Sequence, residues 1–248
     1  VPEPIVYRWQ LTGLQFKVLC DDLRLGGLPR PFTFTSDTRF ADDYERERDE
    51  VRAGLREVTD PRFDAMVRAL TRPDIMVLAN LWNERHHTDP RQCIRVHAVR
   101  RDDRGYVITQ RPGETVAHSG GFDIAECDPA DLARTVVGLF PEVGAGRDPE
   151  SVSAGLTVAG PSPDSRAFRP SGSPSVPSGP DAGVLKVIQG RLGFRERGMI
   201  HVGLIWRDIP GDGRYVMGAD AEPAGMDGTA MSDWIDARMA EIMVRLQT

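Results

Sequence analysis

Residues 86–97 read HHTDPRQCIRVH and carry four side chains of the types that ligate zinc: His86 and His87, then five residues, Cys93, three residues, and His97. Neutral imidazoles and a thiolate would suit a tetrahedral ion. The spacing matches no recurrent zinc site, and the local pattern splits the set. On an alternating strand Cys93 and His97 share a face, whereas His86 and His87 fall in the polar loop before it. The reading is a loop followed by a strand, with no metal. Asp208 and Asp212, in DIPGDG, suggest calcium, but the twelve-residue loop with its terminal bidentate acid is missing. Pro210, Gly211, Asp212 and Gly213 read instead as a hairpin turn.

Covalent and cofactor chemistry finds no foothold. The five histidines (86, 87, 97, 118 and 201) have no evident Ser or Cys partner, and GxSxG, HExxH, GxxxxGK[ST] and a strand-borne GxGxxG are all missing from the sequence. No catalytic residue and no cofactor are expected. Weight shifts to binding surfaces. Asn83–Gln92 (NERHHTDPRQ) is longer than a tight hairpin needs and places Arg85, His86, His87 and Arg91 beside Trp82. A C-terminal helix offers Trp234, Met239 and Met243, adaptable apolar side chains of the kind found at protein-binding grooves, with core packing as the alternative.

These residues need a scaffold. Thr12 with Gln15 forms a capping box that opens a helix, stopped by Gly26 and Gly27. DDYERERDEVRAGLRE, residues 42–57, reads as a solvated helix with pairs such as Glu45 and Arg48. Asp60 caps a third helix with Pro61 at its first position. From Pro73 the period falls to two. IMVLANLW at 75–82 is apolar on both faces, as in a central strand, and IRVHAVR at 94–100 alternates, with Arg95 and His97 on one face. GYVITQR returns after an Asp-Asp-Arg-Gly turn, Thr115–His118 is read as a further short strand, and Asp128 with Pro129 opens another helix. VLKVIQ at 184–189, MIHVGLIW at 199–206 and RYVM at 214–217 are three more strands, before an amphipathic helix over 229–247. Strands joined by hairpins, with helices before and after, mean an antiparallel α+β fold. The order of elements repeats faintly, a weak pseudo-duplication.

Between the halves lies a stretch, about 144–183, whose densest part holds six Pro, six Ser and two Gly in the twenty positions 161–180. It is expected to be a flexible insertion within a single domain spanning 1–248, with pseudo-halves of about 1–120 and 121–248. With 31 Lys+Arg against 37 Asp+Glu the net charge is -6, which argues against nucleic-acid binding. No apolar run is long enough for a membrane span, and Glu3, Arg8, Lys17, Asp21 and Asp22 interrupt the first 25 residues where a signal peptide needs apolar continuity. Three cysteines at spacings of 73 and 34 form no disulfide framework. A cytoplasmic, reducing location is expected.

LTGLQFKVLCDDLRLGGLPRPFTF at 11–34, RPDIMVLANL at 72–81, IRVHAVRRDDRGYVITQRPGE at 94–114 and RGMIHVGLIWRDIPGDGRYV at 197–216 resemble the EspG family of ESX (type VII) secretion-associated proteins of actinobacteria. The likeness covers about 11–140 and 184–247 and lies in the sequence of blocks. It implies a central antiparallel sheet flanked by helical bundles in a pseudo-two-fold arrangement. The implied function is that of a cytosolic chaperone, with no catalysis, that holds a secreted helical heterodimer of PE/PPE type, or a WXG100-like protein, and delivers it to the secretion machinery. The resemblance further implies that sheet, early loop and C-terminal bundle grip the partner's apolar helical tip, here the loop 83–92 and the helix 229–247. The Ser/Pro segment at 161–180 departs from the family, where this region is usually helical. A homodimer, a protein-binding adaptor outside secretion and an enzyme with an unrecognised site stay open as alternatives.

Overall fold

The computed structural model describes residues 5–57, 60–148, 179–191, 199–218 and 222–247. Chain order is β1 (Ile5–Leu11), α1 (Gly13–Asp22), α2 (Ala41–Glu57), α3 (Pro61–Thr71), β2 (Ile75–Trp82), β3 (Ile94–Arg101), β4 (Arg104–Pro112), β5 (Ser119–Cys127), α4 (Leu132–Val137), β6 (Ala182–Gln189), β7 (His201–Ile209), β8 (Gly213–Met217), β9 (Ala224–Gly225) and α5 (Gly228–Gln247). Among the described residues nine strands form one sheet in the order β1-β5-β4-β3-β2-β6-β7-β8-β9. Every neighbouring pair is antiparallel. Two runs, β2 to β5 and β6 to β9, fan outward from the central β2–β6 pair, and the fold is α+β.

Local signals place the helices. Thr12 Oγ1 accepts from the Gln15 amide at 3.1 Å, and Gln15 Oε1 accepts from the Thr12 amide at 2.8 Å, so two backbone donors at the start of α1 are satisfied reciprocally. Asp60 accepts from the amides of Arg62 and Phe63 at the start of α3. α2 buries no side chain and lies against α1 through Arg48–Asp21 at 3.3 Å and Arg52–Asp22 at 2.9 Å.

The sheet separates two apolar cores. On one face Ile75, Val77, Ala79 and Leu81 of β2, Leu185 and Val187 of β6, and Trp206 of β7 meet α4 and α5. On the other, Val99, Tyr106, Ile108, Phe122 and Ile124 are covered by α1, α3 and Phe32. Alternation along the strands sends successive side chains to opposite faces of the sheet.

Several boundaries differ from expectation. β1 was not anticipated, and it pairs with β5 along the sheet edge. Thr115–His118 is a turn closed by the His118 amide donating to Thr115 O at 3.1 Å, and the strand is Ser119–Cys127. Asp128 caps only a turn, accepting from the Ala130 amide at 2.8 Å, so α4 begins at Leu132. α1 ends before its glycines, with Arg24 already left-handed at φ 56°. Of the stretch read as a flexible insertion, 144–148 lies along β8, where the Gly146 amide donates to Arg214 O, and Ala182 and Gly183 belong to β6. Gly179, Pro180 and Asp181 lead into β6, and 149–178 lies outside the described residues. No helix among the described residues is long and apolar enough to cross a membrane.

Candidate partner-binding surface

Asn83 organises the loop between β2 and β3. Its side chain is buried; Nδ2 donates to Gly179 O at 2.7 Å, and Oδ1 accepts from the amides of Arg85 and His86 at 3.0 Å each. Gln92 Oε1 accepts from the Gly179 amide at 2.7 Å, Asp181 Oδ1 from the Glu84 amide at 2.8 Å, and the Glu84 carboxylate pairs with Arg207. Asp89 accepts from the Arg91 amide at 2.9 Å and starts a single helical turn, Pro90–Gln92. The base of the loop is therefore fastened to the entry of β6, while Arg85, His86, His87 and Arg91 are exposed at its tip and Trp82 is half-buried at the end of β2.

The four zinc-type residues are dispersed. His86 and His87 are exposed, whereas His97 is 5% exposed. Its Nδ1 lies 2.7 Å from Arg30 O, which as a carbonyl must accept, and the ring packs against Phe32. Burial lowers the His97 pKa to about 4, because desolvation disfavours the imidazolium. Arg95 is half-buried on the same face and donates to Thr33 Oγ1 and Val116 O, each at 2.8 Å; burial lowers its pKa. The polar face of β3 is thus sealed by residues 30–35. No group of three or more His, Cys, Asp or Glu placed to hold a metal occurs among the described residues.

Other perturbed groups are likewise packed rather than gathered round a cavity. Burial pushes the Cys20 and Cys127 thiols up to about 12. A groove of about 310 Å³ between α1, α2 and α3 is lined by Leu19, Asp22, Arg52, Leu55, Arg56 and Phe63. Asp208, considered above for calcium, pairs with buried Arg214, and Asp212 accepts from the Arg147 amide and the Tyr215 hydroxyl.

β2 carries the main surprise. Its odd positions are fully buried, but of its even positions only Met76 packs into the second core; Leu78, Asn80 and Trp82 are half-buried. The cross-strand register continues this face through Val184, Lys186 and Ile188 of β6 and Ile205 of β7, all half-buried. Among the described residues Leu78, Val184, Ile188 and Ile205 pack into neither core. Sequence reasoning passed over Leu78, Val184, Lys186, Ile188 and Ile205, although VLKVIQ, with apolar residues on both faces around one lysine, was a usable signal.

The C-terminal helix lies on the opposite side of the sheet. Met231, Ile235, Met239 and Ile242 are buried in the first core, Met239 at 3% exposure, while Trp234 and Met243 are half-buried against it. The alternative weighed for this helix, core packing, holds for Met239. The reason is that α5 crosses the sheet with its apolar stripe downward, leaving Trp234 and Met243 at the flanks.

The chain is thus an α+β protein whose sheet has one half-open apolar face bordered by a fastened polar loop. The model of the EspG family matches residues 12–232, so the chain belongs to the EspG family. Among solved structures, that of the Mycobacterium tuberculosis type VII secretion system chaperone EspG5 in complex with a PE25–PPE41 dimer is similar at 12% identity, with 97% of each chain covered and a TM-score of 0.49. No curated protein matches the sequence.

Proposed function

We propose that the chain is a chaperone that binds PE/PPE-type helical substrates of an ESX type VII secretion system, shields their apolar helical tip and hands them to the secretion machinery. Membership of the EspG family over residues 12–232 supports this most directly. The half-open face formed by Leu78, Trp82, Val184, Ile188 and Ile205 suits the task physically. An apolar sheet surface with a polar rim can replace the water around an aggregation-prone helix tip, much as an interface core is ringed by polar residues.

In this reading Trp82, Arg85, His86, His87 and Arg91 form one rim of the site, whereas Trp234 and Met243, packed against the first core on the other side of the sheet, stay outside it. The chain works in the cytoplasm, without cofactor or catalysis, as one domain. A WXG100-like protein is a second class of cargo, and self-association is a resting state for an unoccupied apolar face.

Co-expression with a PE/PPE-type pair from the same locus tests the proposal. A soluble complex that co-elutes with this chain is expected. A pair equally soluble without it, and not retained by it, contradicts the reading.

A further inference from the structure

Lys186 is one of only two lysines in the chain. It stands in the middle of β6, in register with Leu78 on one side and Gly203 on the other. Its strand neighbours Leu185 and Val187 are fully buried in the first core, so Lys186 projects from the half-open face with Val184 and Ile188. A Cβ at position 203 would stand 3.3 Å from Lys186 Cγ, which means that the lysine stem lies over the gap left by Gly203. The other charged or titratable groups on this side of the sheet are His201, exposed at the start of β7, Arg207, engaged by Glu84, Arg95 and His97 of β3, covered by residues 30–35, and Tyr215 of β8, bonded to Asp212. Lys186 makes no ion pair or hydrogen bond among the described residues.

We infer that Lys186 sets the selectivity of the docking face, and that its occupant is an apolar helical tip bearing one carboxylate, from Asp or Glu, placed to meet the lysine ammonium. This rests on the proposed function above. A wholly apolar occupant would strip the ammonium of water and return nothing, which is strongly unfavourable. A carboxylate in the same position forms a charge-assisted hydrogen bond in a water-poor setting. The lysine therefore rejects generic apolar helices as much as it attracts the right one. Gly203 lets the stem lie close to the sheet, so the apolar residues on either side still reach the occupant.

Binding of a PE/PPE-type heterodimer from the same locus, measured by titration calorimetry against the full chain, tests the inference. Lys186→Glu and Lys186→Met are expected to weaken binding by about thirtyfold or more, as for loss of one partner of a desolvated charge pair, while Lys186→Arg retains most of it. Replacing one acidic residue in the partner's tip by lysine should restore binding to Lys186→Glu alone. Unchanged melting temperatures show that the variants are folded. A Trp82→Ser/Ile205→Ser double variant separates the two claims. If it loses binding while Lys186→Glu and Lys186→Met bind like the unmodified chain, the face is the site and the inference about Lys186 is wrong. If the double variant also binds unchanged, the reading of the face fails and takes the inference with it.

Discussion

Asp208 and Arg214 meet across the β7–β8 hairpin as a two-point pair, Nε to Oδ1 at 2.7 Å and Nη2 to Oδ2 at 2.8 Å, with Arg214 only 1% exposed. Arg214 Nη2 also donates to Pro141 O at 3.1 Å, and the guanidinium lies 5.7 Å from the centre of the Trp206 ring. The pair joins the hairpin to the end of α4, so it holds the outer sheet to the first core. Asp208→Asn should lower stability by about 3 kcal/mol, because it leaves a buried cation without its counter-charge. Urea unfolding checks this. An Asp208→Leu/Arg214→Met double variant should lose less than the single change, since it removes the stranded charge as well.

Asn83 fastens the loop that borders the half-open face. Asn83→Ala removes one bond to Gly179 O and the acceptor for two amides, at a cost of about 1–3 kcal/mol for the buried groups left unpaired. Hydrogen exchange at Arg85 and His86 should quicken sharply, while β2 and β3 keep their protection. Unchanged exchange at those amides would mean that Asn83 does not organise the loop.

His97 predicts an acid-sensitive step. Its folded pKa of about 4 lies below the ordinary value of 6.5, so between these limits the unfolded chain binds more protons than the folded one. Its contribution is fully present above pH 6.5, declines as pH falls, and is lost below about 4, a total of about 3 kcal/mol. The difference in stability between the unmodified chain and His97→Gln, followed by urea midpoints from neutral to acid pH, should narrow over that interval. A constant difference would contradict the buried, neutral imidazole.

α2 buries no side chain fully and is held by charge pairs to α1, with Leu55 packed against the second core. In about 1 M NaCl, where screening acts within about 3 Å, amide exchange across 41–57 should rise more than across α1. Arg48→Ala/Arg52→Ala should produce the same loosening at low salt, with a small global cost, since exposed pairs contribute about 0–1 kcal/mol each.

The legible parts of the fold were those governed by short-range chemistry. The capping box at Thr12 and Gln15, the Asp60–Pro61 start of α3 and the Pro210–Gly213 turn each depend on residues a few positions apart. β5 lies beyond the short strand read at Thr115–His118; in it Gly121 takes φ 116° and a Cβ at Gly120 would stand 2.3 Å from Pro112 O. Here glycine permits a close strand approach. β2 was readable as a central strand, but which of its faces is covered depends on where distant helices fall. The same limit hid the burial of His97, which requires residues 30–35 to cross the sheet, and the choice between core and surface for Met239. The loop 83–92 was visible by length and composition; the half-open face beside it was visible only once β2, β6 and β7 stood side by side.

The central claim is that the half-open sheet face is where a PE/PPE-type partner docks. Titration of the purified heterodimer into the unmodified chain and into Trp82→Ser/Ile205→Ser tests it most directly. Saturable binding to the former is expected, and a loss of about a hundredfold or more for the latter, as when two apolar anchors are removed from an interface, with the variant still folding cooperatively at a somewhat lower melting temperature. Equal binding to both chains, or no binding to either, would contradict it.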